Sequence, residues 1–437
     1  MTEPRTIQER LAAERSPFAG FGRRLADGWS FARAGWRHPE FWRQVSYGVA
    51  PRRYFEKTEP PADVFYLFRD VPARREMLRR LQAGETSGLA GGQLFGFAEL
   101  RKKGLAVDCN LRLPRISSVR ETVAGWIEKA YAPRTGIGLG DVCSVRAHLW
   151  QMNRARVVVA TTDNTGLPAA RLKARGRLRV PLVYVSVGLP ERIESAAAKS
   201  PARAARYRKR LASVDRFLAY GYAEAEWLRQ WLGNPEKVRF LPFGVDTEKW
   251  RPEDGVQETT DVLSVGSDPK RDFGLLVEYA RQRPGVGVCL VVGRDGAAGL
   301  GPLPPNVEVR VQVPVEEVKN AIARARVVVL PVKENTYSGA TTTLLQCLAM
   351  GKAVAVSRVG AIRAGYGFED GVNLRWMEPG SAESLACAVD SLMADAAVRR
   401  RIGAAARRHV EENLNWERYV RGIESGLAVG LDKEKAT

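Results

Sequence analysis

The stretch from Val327 to Ser357 constrains the fold of this chain more than any other. It reads VVVLPVKENTYSGATTTLLQCLAMGKAVAVS. Two short apolar runs flank a glycine-containing loop and an apolar helix, a pattern that predicts two buried parallel strands joined by a crossover helix. The loop brings hydroxyl side chains and backbone N–H groups to the start of that helix, where a phosphorylated or sugar-bearing ligand would be favoured.

Similar apolar runs alternate with helical segments along the chain. They occupy residues 63–70, 155–162, 181–187, 216–221 and 261–267. This alternation predicts an α/β fold in which parallel sheets are covered by helices on both faces. Because the chain has 437 residues, it is too long for one ordinary core.

The turn-rich segment 240–255 separates the two halves of this pattern. We predict a helical, aromatic and basic arm over 1–60 and a first Rossmann-like domain over 61–243. A second Rossmann-like domain is predicted over 244–415, and a last helix with its tail over 416–437 is expected to cross back to the first domain.

The arm has two interpretations. Phe18, Phe21, Leu25 and Trp29 share one helical face and arginines surround it, so the arm could dock on an anionic membrane. It could equally be a helical arm packed on the first domain. The net charge of +19 favours polyanionic partners, although a general bias toward arginine would produce it too.

Other classes of protein are disfavoured by composition. No apolar run approaches a membrane span and no secretory leader is visible, so we expect a cytoplasmic protein, with peripheral contact at the inner membrane face as an option. The five cysteines form no CxxC pair and there are three histidines, so we expect neither a metal nor a cofactor. Nucleic-acid binding motifs are absent from the sequence.

Several segments, in order along the chain, resemble the retaining, nucleotide-sugar-dependent glycosyltransferases of the GT-B fold, family four. They are PFGVDTEKW, VGSDPKRDFGLLVEYA, CLVVGRDG, VEEVKNAIARARVVVLPV, SGATTTLLQCLAMGKAVAVS, GVNLRWMEPGSAESLACAV and NWERY. In the first half, GLAGGQLFGFAELRKKG resembles the family's glycine turn and first helix more loosely. The resemblance implies two facing Rossmann-like domains and hexosyl transfer from a nucleoside diphosphate sugar.

The resemblance also implies a set of phosphate-binding residues. Arg271 matches the family's catalytic phosphate-binding lysine after a small slip in register, and Lys270 is its neighbour. Such cations and glycine-turn N–H groups stabilise the charge of a departing diphosphate without metal. The remaining positions implied to bind the donor are Gly91, Gly92, Gly266, Gly293 and Arg294. An ordinary solvated pair is the alternative for Lys270 and Arg271.

The donor loop departs from the family pattern. Where the family commonly has two glutamates, one for the donor sugar and one for the ribose, this chain has Ser338 and Gln346. We expect Glu334 to substitute for the missing catalytic carboxylate. Gly339 and Ala340 are expected to offer N–H groups, and Thr341 and Thr342 either donate hydroxyls to the ligand or cap the helix.

The histidines that the family places at two strand ends are also missing. Asp163 is the nearest ionisable residue and is expected to orient the acceptor or act as a base, with a helix N-cap as the alternative. His148 is expected to be structural or solvated rather than catalytic.

Two other functions stay open at this stage. The GT-B architecture also serves phosphorylases and epimerases. A decayed nucleotide-sugar-binding or scaffold protein would explain the missing glutamates and histidines. The acceptor is expected to be anionic or presented at a membrane.

Overall fold

A computed structural model of the chain describes residues 60–85, 94–111, 140–337 and 339–432. The predicted arm, the Gly91–Gly92 turn and Ser338 lie outside the described residues. The described part contains two parallel sheets, each of six strands, with helices on both faces. This architecture confirms the predicted α/β fold.

The first sheet has the strand order β2-β1-β3-β4-β5-β6. Its strands are β1 (Val64–Leu67), β2 (Val107–Cys109), β3 (Val157–Ala160), β4 (Leu182–Ser186), β5 (Arg216–Ala219) and β6 (Val238–Phe240). Its helices are α1 (Pro72–Gln82), α2 (Phe97–Lys102), α3 (Val142–Ala147), α4 (Leu149–Met152), α5 (Asp163–Lys173), α6 (Leu189–Lys199), α7 (Pro201–Leu211) and α8 (Tyr222–Leu232).

The second sheet has the order β12-β11-β10-β7-β8-β9. Its strands are β7 (Thr260–Gly266), β8 (Val288–Val292), β9 (Val307–Val311), β10 (Ala325–Leu330), β11 (Val354–Ser357) and β12 (Arg375–Met377). The helices that follow are α9 (Phe273–Gln282), α10 (Arg294–Ala298), α11 (Val315–Arg324), α12 (Thr341–Ala349), α13 (Ala382–Ala394), α14 (Ala396–Asn413) and α15 (Trp416–Leu431).

Strand β1 illustrates why the runs are apolar throughout. Val64 and Tyr66 pack into one core cluster, whereas Phe65 and Leu67 pack into another on the opposite face. A strand covered on both faces has no solvent side, so alternation between polar and apolar residues disappears.

Helix α15 returns to the first sheet. The indole Nε1 of Trp416 donates to Glu99 Oε1 at 2.7 Å, and the hydroxyls of Tyr419 and Tyr220 lie 2.8 Å apart. Both aromatic rings belong to a core cluster that contains residues of both sheets. The helix therefore joins the two halves of the molecule through buried aromatic contacts.

Two short edge strands, β6 and β12, were not predicted. Segment 238–240 was assigned to the connection between halves, and 375–377 lies within a motif that we did not interpret as a strand. Each has three residues, too few for a periodic signal to appear. Among the described residues, none of the helices is both long and apolar enough to span a membrane.

Candidate active site

The candidate site lies at the carboxyl edge of the second sheet. Strands β7 and β10 are neighbours, and the chain runs outward from them in opposite directions, which makes this edge a topological switch point. The loops that follow these strands are tied together. Asp272 N donates to Pro331 O at 2.9 Å, and Lys333 N donates to Lys270 O at 2.8 Å. The two predicted ligand-binding loops therefore form one unit.

Arg271 is buried at the base of this unit. Its side chain lies so close to Gly266 that a Cβ on the glycine would meet the guanidinium Nε at 2.4 Å. Burial lowers the pKa of Arg271 to about 10, and the nearby Asp268 carboxylate opposes that shift. The group thus stays charged at neutral pH, yet its Nε and Nη1 have no hydrogen-bond partner among the residues that the structure describes. A buried, unpaired cation is costly unless an anion joins it.

Lys270 reaches across to the first half of the molecule. Its Nζ lies 3.2 Å from Glu191 Oε2 on helix α6, and each side chain is about a third exposed. The backbone N–H of Lys270 donates to Asp268 Oδ1 at 2.8 Å. The predicted phosphate-binding lysine is therefore engaged with a carboxylate from the facing sheet.

Glu334 has a contact that the sequence did not suggest. Its Oε1 accepts a hydrogen bond from the Gly360 N–H at 2.8 Å. A Cβ on Gly360 would lie 3.2 Å from Ala223 of helix α8, so this bond sits where the two halves meet. The observed role of Glu334 is to fix that contact, and its catalytic role stays a prediction.

The start of helix α12 departs in detail from expectation. Gly339 donates its N–H to Tyr337 O at 2.9 Å, so that group is not available to a ligand in this arrangement. Ala340 occupies the N-cap position, and no side chain caps the helix. Thr341 is buried with its hydroxyl beside the Tyr366 phenol, whereas Thr342 is exposed and Gln346 is half-buried.

Gly293 and Arg294 lie at the same sheet edge, one strand farther out. A Cβ on Gly293 would meet the Ser267 Cβ at 2.9 Å, so the glycine lets the β8 turn pack on the β7 loop. Arg294 is exposed and donates from Nε to Gln312 Oε1 at 2.6 Å. These two residues border the loop unit rather than form its base.

Asp163 lies at the carboxyl edge of the first sheet. Its Oδ1 accepts hydrogen bonds from Tyr184 Oη at 3.0 Å and Val187 N at 3.2 Å. Arg192 Nε lies 3.2 Å from its Oδ2. Burial raises the pKa of Asp163 to about 6, so the carboxylate is largely ionised at neutral pH. Thr162, not Asp163, is the N-cap residue of helix α5. Asp163 instead accepts a hydrogen bond from the backbone N–H of Val187, which follows strand β4.

Glu224 is a buried carboxyl group that sequence reasoning missed. Its Oε1 accepts from Ser186 Oγ at 2.6 Å, Gly188 N at 2.8 Å and Leu189 N at 3.2 Å. Burial raises its pKa to about 8, so the group is mostly neutral at pH 7. A signal existed in the sequence, since Glu224 precedes Leu228 by one helical turn and so shares its apolar face.

Tyr337 closes the space between the two halves. Its ring packs over Gly188 at the start of helix α6, 3.5 Å from where a glycine Cβ would be. Burial raises the pKa of Tyr337 to about 12, with the Asp268 and Glu191 carboxylates adding to the shift. Tyr337, Asp268 and Glu191 of helix α6 therefore lie together between the two sheets. We call this region the cleft; the loops of the first sheet form its first wall and those of the second sheet its second wall.

His148 is structural, as expected. Its ring packs near Phe65, and its Nδ1 lies 2.7 Å from Ser144 O. Burial lowers the pKa of His148 to about 4, which keeps the ring neutral. Within the described residues, no group of three or more His, Cys, Asp or Glu side chains could hold a metal ion.

Two family models match the chain in the order of its two sheets. The model described as "Glycosyl transferase 4-like domain" matches residues 98–244, and "Glycosyl transferases group 1" matches residues 276–395. The chain is a glycosyltransferase. The first matched region of this glycosyltransferase contains Asp163, Glu191 and Glu224, and the second contains Glu334 and Tyr337.

Solved structures show that this glycosyltransferase has the GT-B fold. Sucrose-phosphate synthase from Thermosynechococcus elongatus has 16% identity and a TM-score of 0.59, covering 84% of this chain and 98% of its own. HepE from Anabaena, solved in complex with UDP and glucose, has 16% identity and a TM-score of 0.57, covering 84% and 99%. A glycosyltransferase from Rickettsia africae has 12% identity and a TM-score of 0.53, covering 86% and 100%. A comparison with curated protein sequences gave no match.

Proposed function

We propose that this glycosyltransferase moves a hexose from a nucleoside diphosphate sugar to a hydroxyl-bearing acceptor, with retention of anomeric configuration and without a metal. The observation that carries the proposal is the buried Arg271 guanidinium at the switch point, whose Nε and Nη1 lack hydrogen-bond partners in the described part of the chain. A diphosphate would supply the missing acceptors. HepE, which shares the fold, was solved in complex with UDP-glucose.

In this proposal the sugar–phosphate bond breaks and the acceptor oxygen bonds to the anomeric carbon on the same face. The acceptor proton passes to the departing diphosphate oxygen, so no strong base is required. Arg271 and Lys270 stabilise the negative charge that develops on that oxygen. Lys270 must then exchange Glu191 for the diphosphate.

Asp163 is proposed to orient the acceptor from the first sheet. Its ionised carboxylate is fixed by Tyr184, Val187 and Arg192, so its direction does not depend on a bound ligand. The acceptor is proposed to be anionic or presented at a membrane, as the net charge of +19 favours. Deletion of residues 1–60 should abolish binding to anionic liposomes if the arm makes that contact, and should only lower stability if it packs on the domain.

A panel of UDP-, GDP- and dTDP-hexoses tests the proposed function. We expect one donor to raise the melting temperature and to release its nucleoside diphosphate slowly without acceptor. Release that requires inorganic phosphate would indicate a phosphorylase, and interconversion of the sugar without release would indicate an epimerase. Binding without turnover, even with an acceptor panel, would favour the decayed protein, and absence of binding to every donor would refute the proposal. Proton coupling constants of the product report retention.

A further inference from the structure

A second carboxylate of the cleft, that of Asp268, lies beside the donor loop. Asp268 belongs to the loop after β7, and its Oδ1 would be 3.1 Å from a Cβ placed on Gly339. Gly339 directly follows Ser338, the position at which the resembled family has its sugar-binding glutamate. We propose that Asp268 supplies this function and binds hydroxyl groups of the donor sugar, an inference that rests on the proposed function.

The Asp268 side chain is held in place with one oxygen left for a ligand. Its Oδ1 accepts the Lys270 N–H at 2.8 Å, which fixes the carboxylate within its own turn. Its Oδ2 has no hydrogen-bond or ion-pair partner among the residues that the structure describes. A fixed carboxylate with a free oxygen is preorganised to accept bonds from two neighbouring hydroxyls.

The position of Asp268 agrees with the chemistry of a sugar nucleotide. Arg271 and Lys270 both act electrostatically on Asp268, and partial burial raises the pKa of its carboxyl group despite them. The group therefore lies next to the proposed diphosphate site. Because the hexose is attached directly to that diphosphate, its hydroxyls fall within reach of groups that border the phosphate cations. A nucleoside diphosphate without a sugar would only be repelled by this carboxylate, because both are negatively charged.

The other acids of the cleft contact other groups. Glu334 accepts the Gly360 N–H at 2.8 Å, and Glu191 pairs with Lys270 at 3.2 Å. Glu224 lies behind the start of helix α6 and accepts three hydrogen bonds. Asp268 is the carboxylate that lies at Gly339, because its Oδ1, Cγ and Oδ2 are the three atoms nearest to a Cβ placed there, at 3.1, 3.4 and 3.6 Å.

The test separates binding of the sugar from binding of the nucleotide. Dissociation constants are measured by calorimetry for UDP-glucose and UDP, GDP-mannose and GDP, and dTDP-glucose and dTDP, with the wild type and Asp268→Asn. Asparagine keeps an Oδ1 that accepts the Lys270 N–H, so the turn survives while the free carboxylate oxygen is lost. We expect the best sugar nucleotide to bind roughly 10- to 100-fold more weakly to the variant, as for loss of a charge-assisted hydrogen bond. The matching nucleoside diphosphate should bind as before or more tightly.

Asp295→Asn is the matched control, because it removes one exposed negative charge at the same sheet edge. It should leave both constants unchanged. Deoxy analogues of the best donor then identify the hydroxyl, since the penalty of Asp268→Asn should vanish for the analogue that lacks it. Equal weakening of sugar nucleotide and nucleotide, or no weakening at all, would overturn the role of Asp268. If the wild type binds none of the six compounds, the proposed function fails, and this inference fails with it.

Discussion

The two walls of the cleft hold their buried ionisable groups differently. On the first wall, one oxygen of Glu224 accepts three hydrogen bonds, and Asp163 accepts two and pairs with Arg192. Glu224 Oε2 and Asp163 Oδ2 lack a hydrogen-bond partner among the described residues, but each carboxyl group is fixed through its other oxygen. On the second wall, Arg271 is also buried, and neither its Nε nor its Nη1 has a hydrogen-bond partner in the described part of the chain. The first wall is thus held by contacts within the protein, whereas the second wall holds a cation that an anion would stabilise.

The largest expected effect comes from Arg271→Met, which removes the unsatisfied cation and keeps most of its volume. Binding of the preferred nucleoside diphosphate should weaken by about 1.5–3 kcal/mol, as for a hydrogen bond to a charged group. The free energy of unfolding should stay unchanged or rise, because a buried unpaired charge is destabilising. Calorimetry and urea unfolding measure the two quantities. Arg310→Met, at an exposed position paired with Glu308, should change neither.

A substitution at the contact between the two walls is expected to reduce donor affinity almost as much as Arg271→Met. A Cβ on Gly221 would lie 1.9 Å from Thr336 O, a backbone atom of the donor loop. Gly221→Ala should therefore push the walls apart at a cost of about 1–3 kcal/mol, typical of overpacking. Donor affinity should fall and the radius of gyration from solution scattering should increase. Gly285→Ala, whose Cβ would meet nothing within 4 Å, serves as the control. A compact variant with wild-type affinity would mean that this contact does not set the cleft.

The sheets could be predicted from the sequence because their signal is local. Residues 327–330 of strand β10, for example, form an unbroken run of apolar and buried side chains. Gly104 follows the C-cap residue Lys103 of helix α2 and has a positive φ of 90°, at a position where glycine is favoured. The burial of a strand and the conformation of a turn each depend on a few consecutive residues. The order of apolar and turn residues in the sequence is therefore enough to predict them.

The cleft could be predicted only in part, because its contacts join distant residues. Arg271 and Asp163 were named as candidates, but the groups that surround them were not. The pairing of Lys270 with Glu191 and the packing of Tyr337 on Gly188 depend on how two sheets face each other. No periodic pattern encodes that placement. Glu334 was predicted to face the ligand. The structure adds a contact that no local pattern predicts, the hydrogen bond from the Gly360 N–H to its Oε1, and the catalytic role of Glu334 stays a prediction.

A third test concerns the neutral carboxyl group of the first wall. Because the pKa of Glu224 is raised to about 8, the folded protein keeps a proton that the unfolded chain releases near pH 4.5. The free energy of unfolding should therefore fall as pH rises between these values. Glu224→Gln keeps an Oε1 acceptor for Ser186, Gly188 and Leu189 without the titration. It should match the wild type near pH 5 and exceed it at pH 9, by on the order of 2 kcal/mol.

Urea unfolding at several pH values measures this difference. Glu226→Gln is the control, because Glu226 is on the same helix, partly exposed and paired with Arg229. Its unfolding profile should follow the wild-type dependence on pH. If Glu224→Gln also follows it, then Glu224 is ionised in the folded protein, and the first wall carries a second negative charge beside Asp163.

The smallest effect is expected from the ion pair between Glu191 on the first wall and Lys270 on the second. Glu191 and Lys270 are each about a third exposed, so their pairing is worth at most about 1 kcal/mol. Glu191→Gln should release Lys270 for the diphosphate and tighten nucleoside diphosphate binding by up to about fivefold, with the gain shrinking as salt screens the charges. Glu424→Gln breaks a similarly exposed pair with Lys103, far from the cleft, and should leave the affinity unaltered. Weaker binding in Glu191→Gln would mean that Glu191 holds Lys270 in its binding position rather than competing with the ligand for it. The position of Lys270 would then be fixed by a contact within the protein, as the positions of Asp163 and Glu224 are.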